Sequence, residues 1–183
     1  DMFAGYHREW APGQHTLLLG GCLHDRLAIR DPLQSLQIMD RDAGGDIVGL
    51  VSGTTREDYN TRFELFSGEL QQIAQTEKFT LVAGARFQAG EFRTHARQNG
   101  LTNVFPGVPF DYGSRRAISP DFQRVTFYNY NSWQVIDSVQ LVAGMAYDHI
   151  TLPTNFRFSP IEDGDDSTSR FSPKAGAVWT PDK

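Results

Sequence analysis

The sequence predicts an all-β protein, specifically a fragment of an antiparallel, up-and-down transmembrane β-barrel. We expect about seven strands with short periplasmic turns and long extracellular loops. Three observations predict this fold: three similar segments alternate apolar residues with small or polar ones, short turns alternate with long loops, and aromatic residues collect beside the short turns. Membrane β-barrels have this alternation and this asymmetry between their two rims.

A repeated strand is the clearest of these signals. Each copy has leucine second, glycine fifth and a large apolar residue eighth, and the copies lie at residues 16–24, 80–88 and 140–148. Their spacing is too irregular for a solenoid but suits hairpins joined by loops of varying length. Alternation with period two indicates strands. In the first copy we expect Leu17 and Leu19 on the apolar face, with Arg26 on the polar face.

The connections between strands are of two kinds. Short turn signals precede the repeated segments at residues 11–14, 75–78 and 136–138. Further strand-like runs lie at residues 2–10, 63–74, 125–135 and 172–179. The remaining connections are rich in Asp, Gly, Ser, Asn and Pro, and we expect long loops at residues 31–61, 98–121 and 154–171. Within residues 125–136 neither parity is purely apolar, which a β-bulge that resets the register would explain.

Two sets of side chains are candidates for the surfaces of a barrel. Amphipathic rings beside the short turns predict an aromatic girdle at one membrane interface, formed by Trp10, Phe79, Trp133 and Trp179. Polar residues on the opposite face of the strands are candidates for the wet lumen, namely Arg26, Arg86, Gln88 and Arg93. Lumen residues are polar whether or not they bind a solute, so this pattern alone assigns them no ligand.

Composition excludes several classes of protein. The chain has 17 Lys+Arg against 22 Asp+Glu, a net charge of −5, which argues against binding to nucleic acid. The single cysteine, Cys22, allows neither an internal disulfide nor a zinc site with several thiolates. No apolar run approaches the length of about 18 residues that a transmembrane helix needs.

No catalytic motif is present, so we predict neither an enzyme nor a cofactor. The five histidines lack the His-Glu-x-x-His spacing, and neither a Gly-x-Ser-x-Gly elbow nor a phosphate-binding glycine loop occurs. The acidic stretch 162–167 could bind calcium through its carboxylates. It does not match the EF-hand loop, and an ordinary solvated acidic loop explains it as well.

Several segments resemble the barrel of outer-membrane TonB-dependent receptors. The similar segments are Leu-Val-Ala-Gly-Met-Ala-Tyr-Asp at 141–148, Leu-Val-Ala-Gly-Ala-Arg-Phe at 81–87, and the Ser-Pro-Lys-x-Gly strand beginning at Ser172. The resemblance covers nearly the whole chain. It implies a larger barrel filled by a plug domain, embedded in outer-membrane lipid and energised by the TonB protein, that takes up a small nutrient ligand.

In such receptors the extracellular loops are a plausible surface for contacting the ligand. Here the candidates are Phe105, Phe110 and Tyr112, although packing within the loop would explain these aromatic residues equally well. We expect residues 1–183 to form one partial barrel domain, incomplete at both ends, in a longer protein. Neither a plug nor a coupling box is visible in the sequence.

Two alternatives stay open at this point. A passive or polysaccharide-export porin attached to periplasmic repeats would contain a similar barrel segment. A soluble, secreted β-sheet binding domain would instead pack its apolar strand faces against a second sheet.

Overall fold

A computed structural model describes residues 1–102, 114–157 and 161–181, and within these ranges it contains eight strands and no helix. No helix in the described ranges is therefore long and apolar enough to cross a membrane. The strands are Met2–Ala11 (β1), Gln14–Arg41 (β2), Ile47–Gln75 (β3), Phe79–Thr102 (β4), Ser114–Ile118 (β5), Asp121–Ile136 (β6), Val139–Pro153 (β7) and Asp165–Trp179 (β8).

The strands form one antiparallel sheet with up-and-down topology. Its order is β1-β2-β3-β4-β6-β7-β8, and the short β5 pairs with β4 beyond the start of β6. The predicted fold class is confirmed, with seven strands in the continuous path. In the described ranges β1 and β8 lie at opposite edges, so the sheet is not closed.

The three predicted short turns are confirmed, and all lie at one end of the sheet, which we call the turn end. They join β1 to β2, β3 to β4, and β6 to β7. In the first, Gly13 adopts φ +75°, and its carbonyl oxygen accepts a hydrogen bond from the Gln75 amide at 2.7 Å. A side chain is strained at this φ, so glycine suits the position. We call the opposite end the loop end.

The predicted long loop at 31–61 is wrong, because the chain continues there as a β-ribbon. β2 and β3 are 28 and 29 residues long and stay paired from Gln14 to Arg41. A tight turn closes the ribbon: the Asp42 carboxylate accepts hydrogen bonds from the amides of Gly44 and Asp46 at 2.8 and 3.0 Å. An Asx turn of this kind can connect two paired strands whose residues do not alternate between apolar and polar. We predicted strands from that alternation, so the sequence indicated a loop here.

The other two predicted loops are shorter than expected. Residues 98–121 include the end of β4 and all of β5, and residues 154–171 include the start of β8. Part of the acidic stretch 162–167 is therefore strand, since Asp165 and Asp166 pair with Pro153 and Leu152.

The pairing register fixes which side chains share a face. No bulge interrupts Gln14–Asp31 in β2, Arg56–Gln75 in β3 or Phe79–Glu91 in β4. Residues directly opposite one another point to the same side of a sheet, so each face can be followed across the strands. We call the face that carries Trp133 and Trp179 the outer face, and the opposite face the inner face.

Exposure shows that the sheet curves toward its inner face. In β7, outer-face residues from Leu141 to His149 are exposed while the residues between them are half-buried. The buried apolar strand residues also lie on the inner face, at the loop end. They are Tyr59, Ala96 and Ile118, which pack with Ile161 and with the partly buried Phe156 from the segment between β7 and β8.

In β2 the two faces are exchanged relative to our expectation. Leu17 lies opposite Gln71, which lies opposite Gly84, so Leu17 is on the inner face. Leu81 and Leu141 are on the outer face with Trp133. Leucine occupies three consecutive positions in β2, Leu17 to Leu19, so both faces of this strand are apolar there. The sequence therefore does not show which residues of β2 lie on which face of the sheet.

The run 125–136 does contain a register shift, but only at its turn end, between Gln134 and Ile136; the register is unbroken from Gln123 to Gln134, so the shift does not explain the mixed faces. Asn129 and Asn131 therefore share the outer face with Phe127 and Trp133. Their amides hydrogen-bond to each other, the Asn131 Nδ2 donating to the Asn129 Oδ1. Mutual pairing of this kind lowers the cost of two polar groups on an apolar face.

Two glycines of the repeated strand accept tyrosine rings on the inner face. Tyr128 lies directly opposite Gly84, and Tyr130 lies opposite Gly144. A Cβ at Gly84 would lie 2.4 Å from the Tyr128 hydroxyl oxygen and 2.8 Å from the Leu70 carbonyl oxygen. Neither distance is compatible with normal packing, so Gly84 is glycine for steric reasons. The fifth position of the first copy has no such constraint, because a Cβ at Gly20 would meet nothing within 4 Å.

We expect Gly84→Val to destabilise the full-length protein by about 1–3 kcal/mol, because the new side chain displaces the Tyr128 ring. The midpoint temperature of the heat-modifiable gel shift measures this effect. Gly68→Val is the matched control, since a Cβ at Gly68 meets nothing within 4 Å. Equal midpoints for the two variants would contradict the steric role of Gly84.

Candidate functional site

The predicted lumen residues do not lie on one surface. Arg86 and Gln88 are on the inner face, whereas Arg93 is on the outer face with Phe87. Arg26 lies directly opposite Arg62 and is also on the outer face, because of the exchanged faces in β2. The inner face therefore keeps two of the four candidates.

A charged hydrogen-bond network surrounds Arg86 on the inner face. Glu69 accepts hydrogen bonds from Arg86 Nε at 2.9 Å and from the Tyr128 hydroxyl at 2.6 Å. Gln71 Nε2 in turn donates to the Tyr128 oxygen at 3.0 Å. These four side chains join β3, β4 and β6 across the sheet. Such charge-assisted bonds hold polar side chains at fixed positions on a surface that faces water.

A second polar group lies nearer the loop end of the inner face. Asp148 Oδ1 accepts hydrogen bonds from Arg124 Nη2 at 2.7 Å and from Thr126 Oγ1 at 2.6 Å. Lys174 lies over the Tyr130 ring, with Nζ 5.2 Å from its centroid. The inner face thus presents paired charges with both signs, which suits a wet lumen better than the interior of a soluble sheet.

An aromatic cluster occupies the inner face at the loop end. The Phe63 and Phe92 rings stack with centroids 4.1 Å apart, and Phe92 also contacts Phe156 with centroids 4.5 Å apart. Phe122 meets Phe63 edge-on at 5.7 Å. The cluster borders a half-open cavity of about 480 Å³. The cavity is also lined by Asp25, Leu27, Ile29, Tyr59, Thr61 and Arg157.

Polar contacts at the rim hold this cavity in shape. Tyr59 is 3% exposed, and its hydroxyl donates a hydrogen bond to the Phe156 carbonyl oxygen at 2.8 Å. Burial raises the pKa of Tyr59, so the phenol stays protonated and able to donate. Thr61 and Thr94 share a hydrogen bond at 2.8 Å beneath the rings. The cavity therefore combines aromatic walls with one carboxylate and one guanidinium.

The outer face carries two rows of exposed aromatic residues. At the turn end are all four predicted girdle residues, Trp10, Phe79, Trp133 and Trp179, which are between 40% and 72% exposed. Nearer the loop end is a second row, which the sequence analysis missed. It consists of Phe66, Phe87, Phe127, Tyr147 and Phe171. Between the rows the exposed residues are mainly small or apolar, including Leu18, Leu70 and Met145.

The two rows cross the sheet at a similar but not constant separation. Phe127, Tyr147 and Phe171 are directly opposite one another, whereas Phe87 and Phe66 are displaced in steps toward the loop end. Eight residues separate Phe79 from Phe87 on β4 and Phe171 from Trp179 on β8, whereas six separate Phe127 from Trp133 on β6. A level line crosses tilted strands in steps like those from Phe127 to Phe87 and Phe66, so this part of the second row can lie at one height.

The predicted loop candidates Phe105, Phe110 and Tyr112 lie outside the residues that the structure describes. Within the described ranges, no group of three or more His, Cys, Asp or Glu side chains is placed to hold a metal ion. The described ranges also contain a single sheet, with no second sheet over its apolar outer face.

Sequence reasoning missed the aromatic cavity for two reasons. Phe63 and Phe92 looked like ordinary strand residues, and Phe156 comes from a distant segment that the sequence cannot place. The available signal was the alternation in β4, where Phe92 has the opposite parity to Phe79 and Phe87. A large apolar side chain on the polar face of a strand is the feature to look for.

Comparison with known proteins identifies one family. Residues 6–183 match the family model described as TonB dependent receptor-like, β-barrel. No curated protein sequence matches the chain. Among solved structures the chain is similar to the copper transporter OprC, with 11% identity and a TM-score of 0.45. The similarity covers 94% of this chain and 33% of OprC, so the chain spans about a third of the length of that protein.

We expect Tyr128→Phe to lower the free energy of unfolding of the full-length protein by about 1–2 kcal/mol. The substitution removes the hydroxyl that donates to the Glu69 carboxylate, so Glu69 Oε1 loses its hydrogen-bond donor. Guanidinium titration followed by the gel shift measures the change. Tyr130→Phe, on the same strand and face, removes a hydroxyl for which the described residues offer no hydrogen bond, and it should change stability by less than about 0.5 kcal/mol. A similar loss in both variants would contradict the network.

Proposed function

The chain belongs to the TonB dependent receptor-like β-barrel family, and on that premise we propose that it forms part of the wall of an outer-membrane barrel for energy-coupled uptake of a small solute. In this proposal the outer face contacts lipid and the inner face lines the lumen. The aromatic cavity at the loop end binds the solute on the extracellular side. A plug and TonB coupling belong to the proposal as partners supplied by the rest of the protein and the cell.

The observation that carries the proposal is the difference between the two faces. The outer face presents an apolar band between two aromatic rows, and the inner face presents paired charges and a cavity. Lipid-facing and lumen-facing residues alternate in this way along the strands of membrane barrels.

The height of the apolar band supports membrane insertion. The rows are eight residues apart on β4 and β8 and six apart on β6, which corresponds to about 20–26 Å along a strand at roughly 3.3 Å per residue. A strand tilt of about 40° reduces this to about 15–20 Å, somewhat less than the apolar band of roughly 25 Å in outer-membrane barrels. In this reading Trp10, Phe79, Trp133 and Trp179 form the girdle at the periplasmic interface.

The chemistry of the cavity suggests a class of solute. Stacked phenylalanine rings offer flat apolar contact, while Arg157 and Asp25 at the lining offer charges of both signs. A solute with an aromatic or flat apolar portion and at least one ionised group would use both features. A cavity of about 480 Å³ accommodates a ligand of a few hundred daltons.

We expect the full-length native protein to fractionate with the outer membrane and to shift on a gel when boiled. The exposed apolar band requires lipid or detergent, because water would meet a row of large apolar side chains. Extraction as a soluble protein without detergent would contradict the barrel. It would favour a sheet whose outer face is covered by protein.

We also expect Phe92→Ala to weaken binding of anilinonaphthalene sulfonate by about tenfold, since the probe has both an aromatic surface and an anionic group. Fluorescence titration of the full-length protein in an amphipol measures this. Phe66→Ala is the matched control, because it removes one exposed ring from the outer face. Equal weakening by both substitutions would place the probe on the lipid-facing surface and contradict the cavity.

A further inference from the structure

A row of three arginines crosses the outer face beyond the loop-end aromatic row. Arg26, Arg62 and Arg93 lie directly opposite one another on β2, β3 and β4. Like charges in directly opposed positions of a sheet repel each other. Arg93 has ion pairs with Glu91 at 2.9 Å and Glu64 at 3.9 Å, whereas Arg26 and Arg62 have none with any described residue.

A second row lies four residues farther toward the loop end. Arg30 is opposite Asp58, Asp58 is opposite Arg97, and Arg97 is opposite Arg115. Arg56 lies nearby on the same face and contacts Asp58 at 3.6 Å. We call these side chains the arginine surface: Arg26, Arg30, Arg56, Arg62, Arg93, Arg97 and Arg115.

The arginine surface is strongly basic in an acidic chain. On the outer face its seven arginines are accompanied by four carboxylates, those of Asp58, Glu64, Glu91 and Asp121, giving 7 − 4 = +3. The whole chain has a charge of −5. A depression of about 1030 Å³ lies among the arginines. Such a concentration of guanidinium groups is suited to bidentate contacts with phosphate.

The position of the surface identifies its partner. It continues the face that meets lipid in the proposed function, and its lower row begins four residues beyond Phe66, at Arg62. Four residues correspond to about 13 Å along a strand, or about 10 Å in height after tilt. The headgroup region extends about 5–8 Å beyond the hydrocarbon layer. The lower row is therefore close to the headgroups, while the upper row is beyond those of an ordinary phospholipid.

We propose that the arginine surface binds the phosphate groups of an anionic glycolipid in the outer leaflet. The lower row contacts phosphate next to the acyl chains, and the upper row contacts phosphate on the sugars of the same headgroup, about 10 Å higher. The phosphates supply the negative charge that Arg26 and Arg62 lack within the described chain. The inference rests on the lipid-facing side of the sheet in the proposed function, but not on solute uptake.

The test uses full-length protein purified in detergent and titrated with diphosphorylated lipid A, with the gel-shift midpoint as the measure of binding. For wild-type protein we expect a saturable rise in the midpoint that weakens at high salt. Arg26→Gln/Arg62→Gln should weaken the apparent affinity roughly 30-fold, since each arginine near an anionic headgroup contributes about a factor of five. Arg8→Gln/Arg41→Gln removes two charges away from the surface and should leave affinity within about twofold.

Two further arms separate charge from other causes. Arg26→Lys/Arg62→Lys keeps both charges and should recover most of the affinity. A variant that failed to fold would not bind the lipid, so this recovery separates loss of charge from loss of structure. Dephosphorylated lipid A and inorganic pyrophosphate should not raise the midpoint. The proposal is overturned if wild-type protein does not bind the phosphorylated lipid, if both glutamine pairs weaken binding equally, or if either control ligand raises the midpoint as much. Fractionation of the variants with the outer membrane tests the proposed barrel, whereas the lipid titration tests the arginine surface. Failure of the one is therefore distinguishable from failure of the other.

Discussion

The continuous antiparallel register is the constraint on which the rest of the structure depends. Because side chains alternate with period two, a slip of one residue would move every side chain of a strand to the other face. The unbroken pairing from β2 to β4 therefore determines at once which residues form the aromatic rows, which form the charged network, and which line the cavity. Each surface is a consequence of the same hydrogen-bond ladder.

The inner face combines rigidity with polarity. Glu69, Arg86 and Tyr128 are joined by hydrogen bonds of 2.6 to 2.9 Å. Gly84 leaves room for the Tyr128 ring directly over the backbone. A residue with a side chain at that position would push the tyrosine away from its carboxylate partner. Gly84 in the repeated strand is therefore a requirement for the hydrogen-bond network on the inner face.

The sequence predicted the fold class, the short turns and the aromatic residues at the turn end, because these depend on local patterns. It failed where local patterns are ambiguous. Because Leu17 to Leu19 are three consecutive leucines, the sequence did not show which residues of β2 lie on the outer face. The position of Arg26 on that face was therefore not predicted. The ribbon at 31–61 is largely exposed only at its tip, around residues 41–50, and nearer the sheet its buried residues include the polar Thr55, Glu57 and Thr61. Its strands therefore lack apolar alternation and resembled a loop. The cavity depends on Phe156, which only tertiary structure brings to Phe92.

The ribbon closed at Asp42 also has a consequence for how the sheet forms. Each strand of the continuous path pairs with the one before it, apart from the β5 excursion between β4 and β6, so pairings can form in chain order without long loop closures. The turn from Asp42 to Asp46 is stabilised by its own aspartate and by Arg41 Nη1, which donates to the Gly45 carbonyl oxygen at 2.7 Å. It needs no neighbouring strand. Pairing of β2 with β3 can therefore start at this turn in water and extend toward the apolar band, so that a hairpin already in register is available before its lipid-facing residues enter the membrane.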